Sequence, residues 1–315
     1  MTRVAGIDCG TNSIRLLVAD VHDGSLTDVE RRMEVVRLGQ GVDRTGRIAP
    51  DALERTLAAA AGYAAICSDL GVQRLRFVAT SATRDAENRG DFVDGVRSAL
   101  GVEPEVIGGT EEAELSFRGA ISTLGGHHRG PFLVVDIGGG STEIVLGTTS
   151  PVAVASMDVG CVRLTERHLT DDPPSADQIT AASRDVIAAL DAAGRRVPFG
   201  RAATLVGLAG SVTTVTAHVL DLEEYDAHVI DGTVLPVDRV LTSCRTLLTM
   251  SRSRRARLPF MHPGRVDVIG AGALIWSDVA ARVRADVARA GGRLATVVTS
   301  EHDILDGITL SAAER

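Results

Sequence analysis

The sequence predicts an α/β protein built from two copies of one domain. Two observations carry this. First, Asp8-Cys9-Gly10-Thr11-Asn12-Ser13 and Asp136-Ile137-Gly138-Gly139-Gly140-Ser141 share the frame D-x-G-x-x-S, and each is entered from one apolar strand and left through another. Second, each copy continues into alternating β-rich and helical patterns, in a chain whose 315 residues suit two domains. Two unrelated glycine turns are the alternative; the shared hexapeptide frame favours duplication.

Taken in order, Val4–Ile7, Ile14–Ala19 and Met33–Leu38 read as strands, the first two joined by the polar turn Asp8–Ser13. A helix is expected from Pro50 to about Leu70, because proline suits its first turn and Gly71 follows its end. Leu75–Ala79 reads as a buried strand, Asp91–Leu100 as a helix, Val106–Ile107 as a strand end and Glu111–Ile121 as a helix. Gly125–Pro131 is the best linker, and its His127-His128 pair reads as solvated linker rather than a metal site. The pattern then restarts with the apolar strand Phe132–Val135 and the strand Glu143–Leu146. Helices are expected around Ser175–Ala193, Val237–Met250 and Ala271–Val287, then a strand Leu294–Val298 and a last helix Asp303–Ala313. The expected domains are 1–123 and 124–299, with 300–315 packing back on the first.

Composition narrows the chemistry. All 33 basic residues are arginine, which excludes a Walker-type phosphate loop and lysine nucleophiles. A net charge of −8 offers no footprint for a nucleic acid duplex, and 3% aromatic residues offer no platform for single strands. No nucleic-acid partner is expected. Cys9, Cys67, Cys161 and Cys244 are too far apart in sequence for a zinc pattern and read as reduced thiols. With no apolar leader and no membrane-length run, a cytoplasmic protein without a membrane partner is expected.

The two turns carry the chemistry. A glycine-tipped hairpin directs backbone N–H groups at one point and makes an anion site. Asp8 and Asp136 stand at the start of these turns, where carboxylates repel a phosphate unless a divalent cation lies between, so Mg2+ is expected. Glu143 lies on the strand leaving the second turn. A third turn, Gly207-Leu208-Ala209-Gly210-Ser211, lies between the apolar run Ala203–Val206 and a helix expected at Val212–Leu220. In Gly108-Gly109-Thr110-Glu111-Glu112-Ala113-Glu114, Glu111 and Glu114 share a helix face while Glu112 points about 100° away. Such carboxylates suit the helix dipole, and one of them beside bound phosphates can act as a general base toward water. Arg84 in Ala79–Asn88 is a candidate fork for phosphate.

These stretches, with VRLGQGVDRTGRI, DVGCVRLTER, VGLAGSVTTV, RVDVIGAGALI and SEHDILDG, occur in order from Ile7 to Gly307. Together they resemble the exopolyphosphatase/guanosine pentaphosphate phosphatase family, in its short two-domain form, within the sugar kinase–actin–heat-shock chaperone superfamily. The resemblance implies two duplicated ribonuclease-H-like (actin-like ATPase) domains with an active-site cleft between them. It assigns Glu112 as the residue that activates water, and Asp136 and Glu143, faced by Asp8, as support for the metal. Gly10, Thr11, Asn12, Ser13, Gly138, Gly139, Gly140, Ser141 and Arg84 hold phosphates in this reading, with Gly210 and Ser211 of the third turn. The implied cofactor is Mg2+, with Mn2+ as its substitute and K+ as a co-activator. The implied substrate is inorganic polyphosphate, with guanosine pentaphosphate second, and the implied assembly is a homodimer. An ATP-dependent kinase and a non-catalytic sensor of the same fold are the readings from other classes. Two departures stand out: the third turn reads LAGS where the family usually has two glycines and threonine, and Cys9 replaces an aliphatic residue.

Overall fold

The computed structural model describes residues 2–124 and 126–314; Gly125, the first residue of the expected linker, lies outside them. The chain divides into two compact units. One runs to Ser122 and takes in the residues from Asp303 onward, and the other is Thr123–His302.

In the first unit, β1 (Thr2–Cys9), β2 (Ser13–His22), β3 (Ser25–Val35), β4 (Arg74–Ala79) and β5 (Glu105–Val106) form a sheet ordered β3-β2-β1-β4-β5. β1, β2 and β3 pair antiparallel, while β4 lies parallel to β1 and β5 parallel to β4. Side chains alternate between the two faces of a strand. Ala5, Ile7, Cys9, Leu16 and Val18 therefore enter one core with Ala59, Ala60 and Tyr63 of the Pro50–Asp69 helix. Leu17 and Ala19 face the other way, against Leu305 of the Ile304–Ala312 helix. That second face also packs Val78, Ile107, Leu115, Ile304 and Ile308 together. Asp8 and Arg15 point to this face, beneath the last helix of the chain.

The second unit repeats the plan. Its strands are β6 (Phe132–Ile137), β7 (Thr142–Gly147), β8 (Pro151–Met157), β9 (Thr204–Leu208), β10 (Val234–Pro236) and β11 (Thr296–Thr299), ordered β10-β11-β9-β6-β7-β8. Again an antiparallel meander of three strands is followed by two parallel neighbours, with β10 added antiparallel at the edge. Both sheets are thus ribonuclease-H-like. The core joins Leu133, Val135, Ile144 and Leu146 to the helices around them. The Val237–Thr249 helix presents Val237, Val240, Cys244, Leu247 and Leu248 at helical spacing, and Trp276 of the Ile269–Arg289 helix is fully buried. The Ala176–Gly194 helix begins at Ser175 with a capping box closed by Gln178.

Two expectations need correction. The strand expected at Met33–Leu38 ends at Val35 and begins at Ser25. Val36 and Leu38 are buried for a different reason, described below. The third turn is shorter than expected: β9 runs through Leu208 and the helix begins at Ala209, so Gly210 and Ser211 already belong to its first turn. β8 was not foreseen. Among the described residues no helix is long and apolar enough to cross a membrane.

Candidate active site

The two hairpin turns close in the same way. In each, the glycine after the aspartate and one residue donates to the serine carbonyl, Gly10 N to Ser13 O and Gly138 N to Ser141 O, both at 3.0 Å. Each turn is then gripped by the chain that follows its third strand. In the first unit Val36 N and Arg37 N donate to Asn12 O at 3.1 and 2.8 Å, and Gly39 N donates to Thr11 O at 2.8 Å. This grip is what buries Val36 and Leu38. In the second unit Cys161 N donates to Gly138 O at 3.0 Å, and Val162 N and Arg163 N donate to Gly139 O at 2.9 and 3.1 Å. The Arg163 side chain adds Nε to Gly140 O at 2.7 Å. Both grips need a glycine. A Cβ on Gly39 would strike the Thr11 side chain, and one on Gly160 would strike the backbone of Gly139 and Gly140. With the turn carbonyls held from behind, the first loop is fixed by backbone bonds and the second by backbone bonds together with the Arg163 side chain.

The residues flanking the turns differ. Asp8 sits directly across the hairpin from Arg15, whereas Asp136 sits across from Glu143. Asp8 is buried, and its Oδ2 accepts Arg15 Nε at 2.9 Å and Nη2 at 2.6 Å. Arg15 Nη1 donates to Asp303 Oδ2 at 2.5 Å. Asp8 Oδ1 is buried without a hydrogen-bond partner. Burial pushes the Asp8 carboxyl above its ordinary value, and the Arg15 guanidinium pulls it back in part. Asp136 and Glu143 are buried on the same face of the second sheet, and Glu143 Oε1 accepts Ser156 Oγ at 2.7 Å. Like charges directly opposite each other destabilise a sheet, so this pair suits a cation.

The carboxylates beside the two turns have the chemistry of divalent-metal ligands. The buried, unpartnered Oδ1 of Asp8 and the facing carboxylates of Asp136 and Glu143 are hard oxygen donors of the kind Mg2+ takes. Among the described residues no three metal-ligating side chains form a cage. Mg2+ commonly needs only one or two carboxylates when phosphates complete its shell. The residues fit.

Of the three glutamates at the start of the Gly109–Leu124 helix, the structure separates Glu112. Glu111 and Glu114 are exposed, and Glu111 is engaged by Arg76 Nη2 at 2.6 Å. Glu112 is buried, with Oε2 accepting Arg84 Nη1 at 3.1 Å; the same Nη1 donates to Ile107 O at 3.0 Å. Arg84, singled out as a phosphate fork, thus holds the Glu112 carboxylate and the strand end beside it. Thr11 Oγ1 shares a 2.9 Å hydrogen bond with Ser81 Oγ, tying the first turn to the segment that carries Arg84.

At the third turn Ser211 is buried, its hydroxyl seated where the Ile269–Arg289 helix has Gly272. Gly210 is overlaid by the Arg265 guanidinium, whose Nη1 donates to Gly210 O at 3.3 Å. Ala209 stands at φ 65°, a left-handed conformation that favours glycine. Close by, Tyr225 donates to Thr213 Oγ1 at 2.7 Å or Glu301 Oε1 at 2.5 Å. Cys9 is an inert core residue: burial pushes its thiol well up, and Asp8 adds to the shift.

Sequence reading missed Arg15, Asp303, Gly39, Gly160 and Arg163. A signal for the grip exists in the sequence, since V-R-L-G and V-G-C-V-R each follow a hairpin and contain the needed glycine. The Arg15–Asp303 contact, joining residues at opposite ends of the chain, leaves none.

Comparison with known proteins places the chain. The model of the Ppx/GppA phosphatase family matches residues 17–292. Exopolyphosphatase 2 of Mycobacterium tuberculosis is 52% identical over 322 residues, covering 99% of both chains. Among solved structures, an exopolyphosphatase-like protein is 48% identical with a TM-score of 0.96, over 100% of this chain and 99% of that one. The Aquifex aeolicus Ppx/GppA family member is 28% identical with a TM-score of 0.81, over 99% and 98%. The duplicated sheets, the paired turns and these matches agree: the chain belongs to the Ppx/GppA phosphatase family and is a phosphoanhydride hydrolase.

Proposed function

We propose that the protein is a cytoplasmic exopolyphosphatase, releasing orthophosphate from the end of inorganic polyphosphate. The observation that carries this reading is the 52% identity, over 99% of both chains, to a protein named Exopolyphosphatase 2. No comparable likeness favours guanosine pentaphosphate as the substrate.

In this proposal Glu112 is the general base. It is the buried carboxylate of its trio, and Arg84 orients it toward one geometry. Gly10 N and Gly138 N close the turns on Ser13 O and Ser141 O, and the backbone N–H groups that follow them, Thr11–Ser13 and Gly139–Ser141, hold phosphate oxygens, a role that needs no lysine. Asp136 and Glu143 in the second unit, and Asp8 Oδ1 in the first, are the oxygens that would serve Mg2+, or Mn2+ in its place. The metal supplies charge neutralisation on the phosphate oxygens as the bond to the leaving chain breaks. Glu112 takes the proton of the attacking water, and the shortened polyphosphate leaves as an anion.

The test is phosphate release from short polyphosphate, long polyphosphate and guanosine pentaphosphate, each with Mg2+ and with a chelator. Metal-dependent release from polyphosphate supports the proposal. Release from guanosine pentaphosphate alone, or from none of the three, overturns it.

A further inference from the structure

One hairpin carries two arginine–aspartate pairs that face each other across the same strands, and they are built differently. At its outer end Arg3 meets Asp20 as a two-pronged fork, Nε on Oδ1 and Nη2 on Oδ2, both at 2.9 Å. This is the usual geometry of guanidinium and carboxylate, one N–H for each oxygen. At the turn end Arg15 meets Asp8, and both prongs converge on a single oxygen, Oδ2 at 2.9 and 2.6 Å. The second oxygen, Oδ1, is left buried and unpartnered. What differs is a third acid. Asp303 Oδ2 takes Arg15 Nη1 at 2.5 Å and fixes the tilt of the guanidinium.

Asp303 is itself held firmly. Its Oδ1 accepts Leu305 N at 3.0 Å, capping the Ile304–Ala312 helix, and its N–H donates to Asp306 Oδ2 at 3.0 Å. Its carbonyl lies so close to Gly119 that any side chain there would collide with it. Gly119 is on the Gly109–Leu124 helix, which also carries Glu112. The cluster of Asp8, Arg15 and Asp303 has one positive and two negative groups, a buried net charge of about −1 that calls for a cation.

We propose that Asp303 is a positioning residue for Asp8: by holding Arg15, it keeps both guanidinium prongs on Oδ2 and leaves Oδ1 to a divalent cation. The inference rests on the reading that Asp8 supports the metal. Without Asp303, Arg15 is free to rotate into the two-pronged fork seen at Arg3 and Asp20, and the fork occupies Oδ1. Partners of this kind, which orient a metal ligand without touching the metal, are commonly worth about 10- to 100-fold in metal affinity.

The experiment is a titration of the full-length, chelator-stripped protein with Mn2+, following the electron paramagnetic resonance signal of free Mn2+. Asp303→Asn keeps an N-cap side chain and removes the charge that holds Arg15. It is expected to raise the Kd for Mn2+ about 10- to 100-fold. Asp303→Ser, which caps equally well, serves the same purpose should the asparagine variant not fold, and the same rise is expected. Arg31→Ala removes a different ion pair of the same helix, with Asp306, and is expected to leave the Kd within about twofold, since it does not touch Asp8. Asp8→Asn is expected to weaken Mn2+ at least as much as Asp303→Asn. If Asp8→Asn weakens Mn2+ and the folded Asp303 variants do not, Asp303 does not position Asp8, while Asp8 stands as a ligand. If Asp8→Asn binds Mn2+ as the parent does, the metal reading of Asp8 falls and the positioning role falls with it.

Discussion

The turn at Gly10–Ser13 and the turn at Gly138–Ser141 are the same device with opposite charge logic. Both close with a 3.0 Å bond from glycine to serine, both are gripped from behind by a glycine-containing segment, and both follow an aspartate. Across the hairpin from that aspartate stands Arg15 in one copy and Glu143 in the other. The first copy meets its aspartate with a cation from the chain. The second sets two carboxylates face to face, an arrangement that suits a cation from outside. A duplicated scaffold conserves its backbone mechanics because those are fixed by the register of the sheet. Its electrostatics can diverge through a single position.

The largest expected effect comes from erasing that difference. Arg15→Glu gives the first hairpin the charge pattern of the second but adds it to Asp303. Three acids then lie together, Asp8 and Asp303 of them buried, and the loss of a buried pair of this kind costs about 3–5 kcal/mol. Urea unfolding measures it; a loss below about 1 kcal/mol shows that Arg15 does not neutralise this cluster.

Next in size is the grip. Gly160→Ala drives a methyl group into the backbone of Gly139 and Gly140, while Gly39→Ala meets side-chain atoms, those of Thr11 and Ala82, which yield more readily than backbone. The expected losses are about 2–3 kcal/mol for the first and about 1 kcal/mol for the second. Equal losses would mean that both turns are equally yielding.

The third turn breaks the pattern of the other two, because Ala209 occupies a left-handed position. Ala209→Gly removes a Cβ that costs about 1 kcal/mol there and is expected to raise the melting temperature by a few degrees. A fall in melting temperature would locate the strain elsewhere.

The smallest effect concerns the cysteines beside the two turns. Burial raises both thiols, Cys9 well above its ordinary value and Cys161 to about 11. A raised thiol pKa keeps the proton on at pH 8, and only the thiolate reacts. Ellman's reagent at pH 8 is therefore expected to find no fast thiol in the folded protein and four in denaturant. A fast thiol in the folded protein would mean that one of the turns opens.

Much of this was legible in the sequence because it is local. The two D-x-G-x-x-S frames disclose the hairpins, whereas the pairing of residue 8 with 15 and of residue 136 with 143 is a matter of strand register that the structure supplies. The helical spacing of Glu111, Glu112 and Glu114 says that one differs from the other two, but not which is buried. Folding separates them: Arg76 of β4 engages the exposed Glu111, and Arg84 holds the buried Glu112. β3 was misplaced because its own residues, SLTDVERRMEV, are charged and largely exposed, while the apolar signal belongs to the grip beyond it. Asp303 was unreadable as a partner of Arg15, since nothing in sequence links positions that only folding brings together.

Water activation by Glu112 is the proposed step on which the reaction turns. The direct measurement is orthophosphate release from polyphosphate by Glu112→Gln at saturating Mg2+, with kcat and KM determined separately. The variant keeps a carbonyl oxygen for Arg84 and loses the base. Its kcat is expected to fall about 100- to 10,000-fold with KM nearly unchanged. Turnover at the parent's rate would contradict the account.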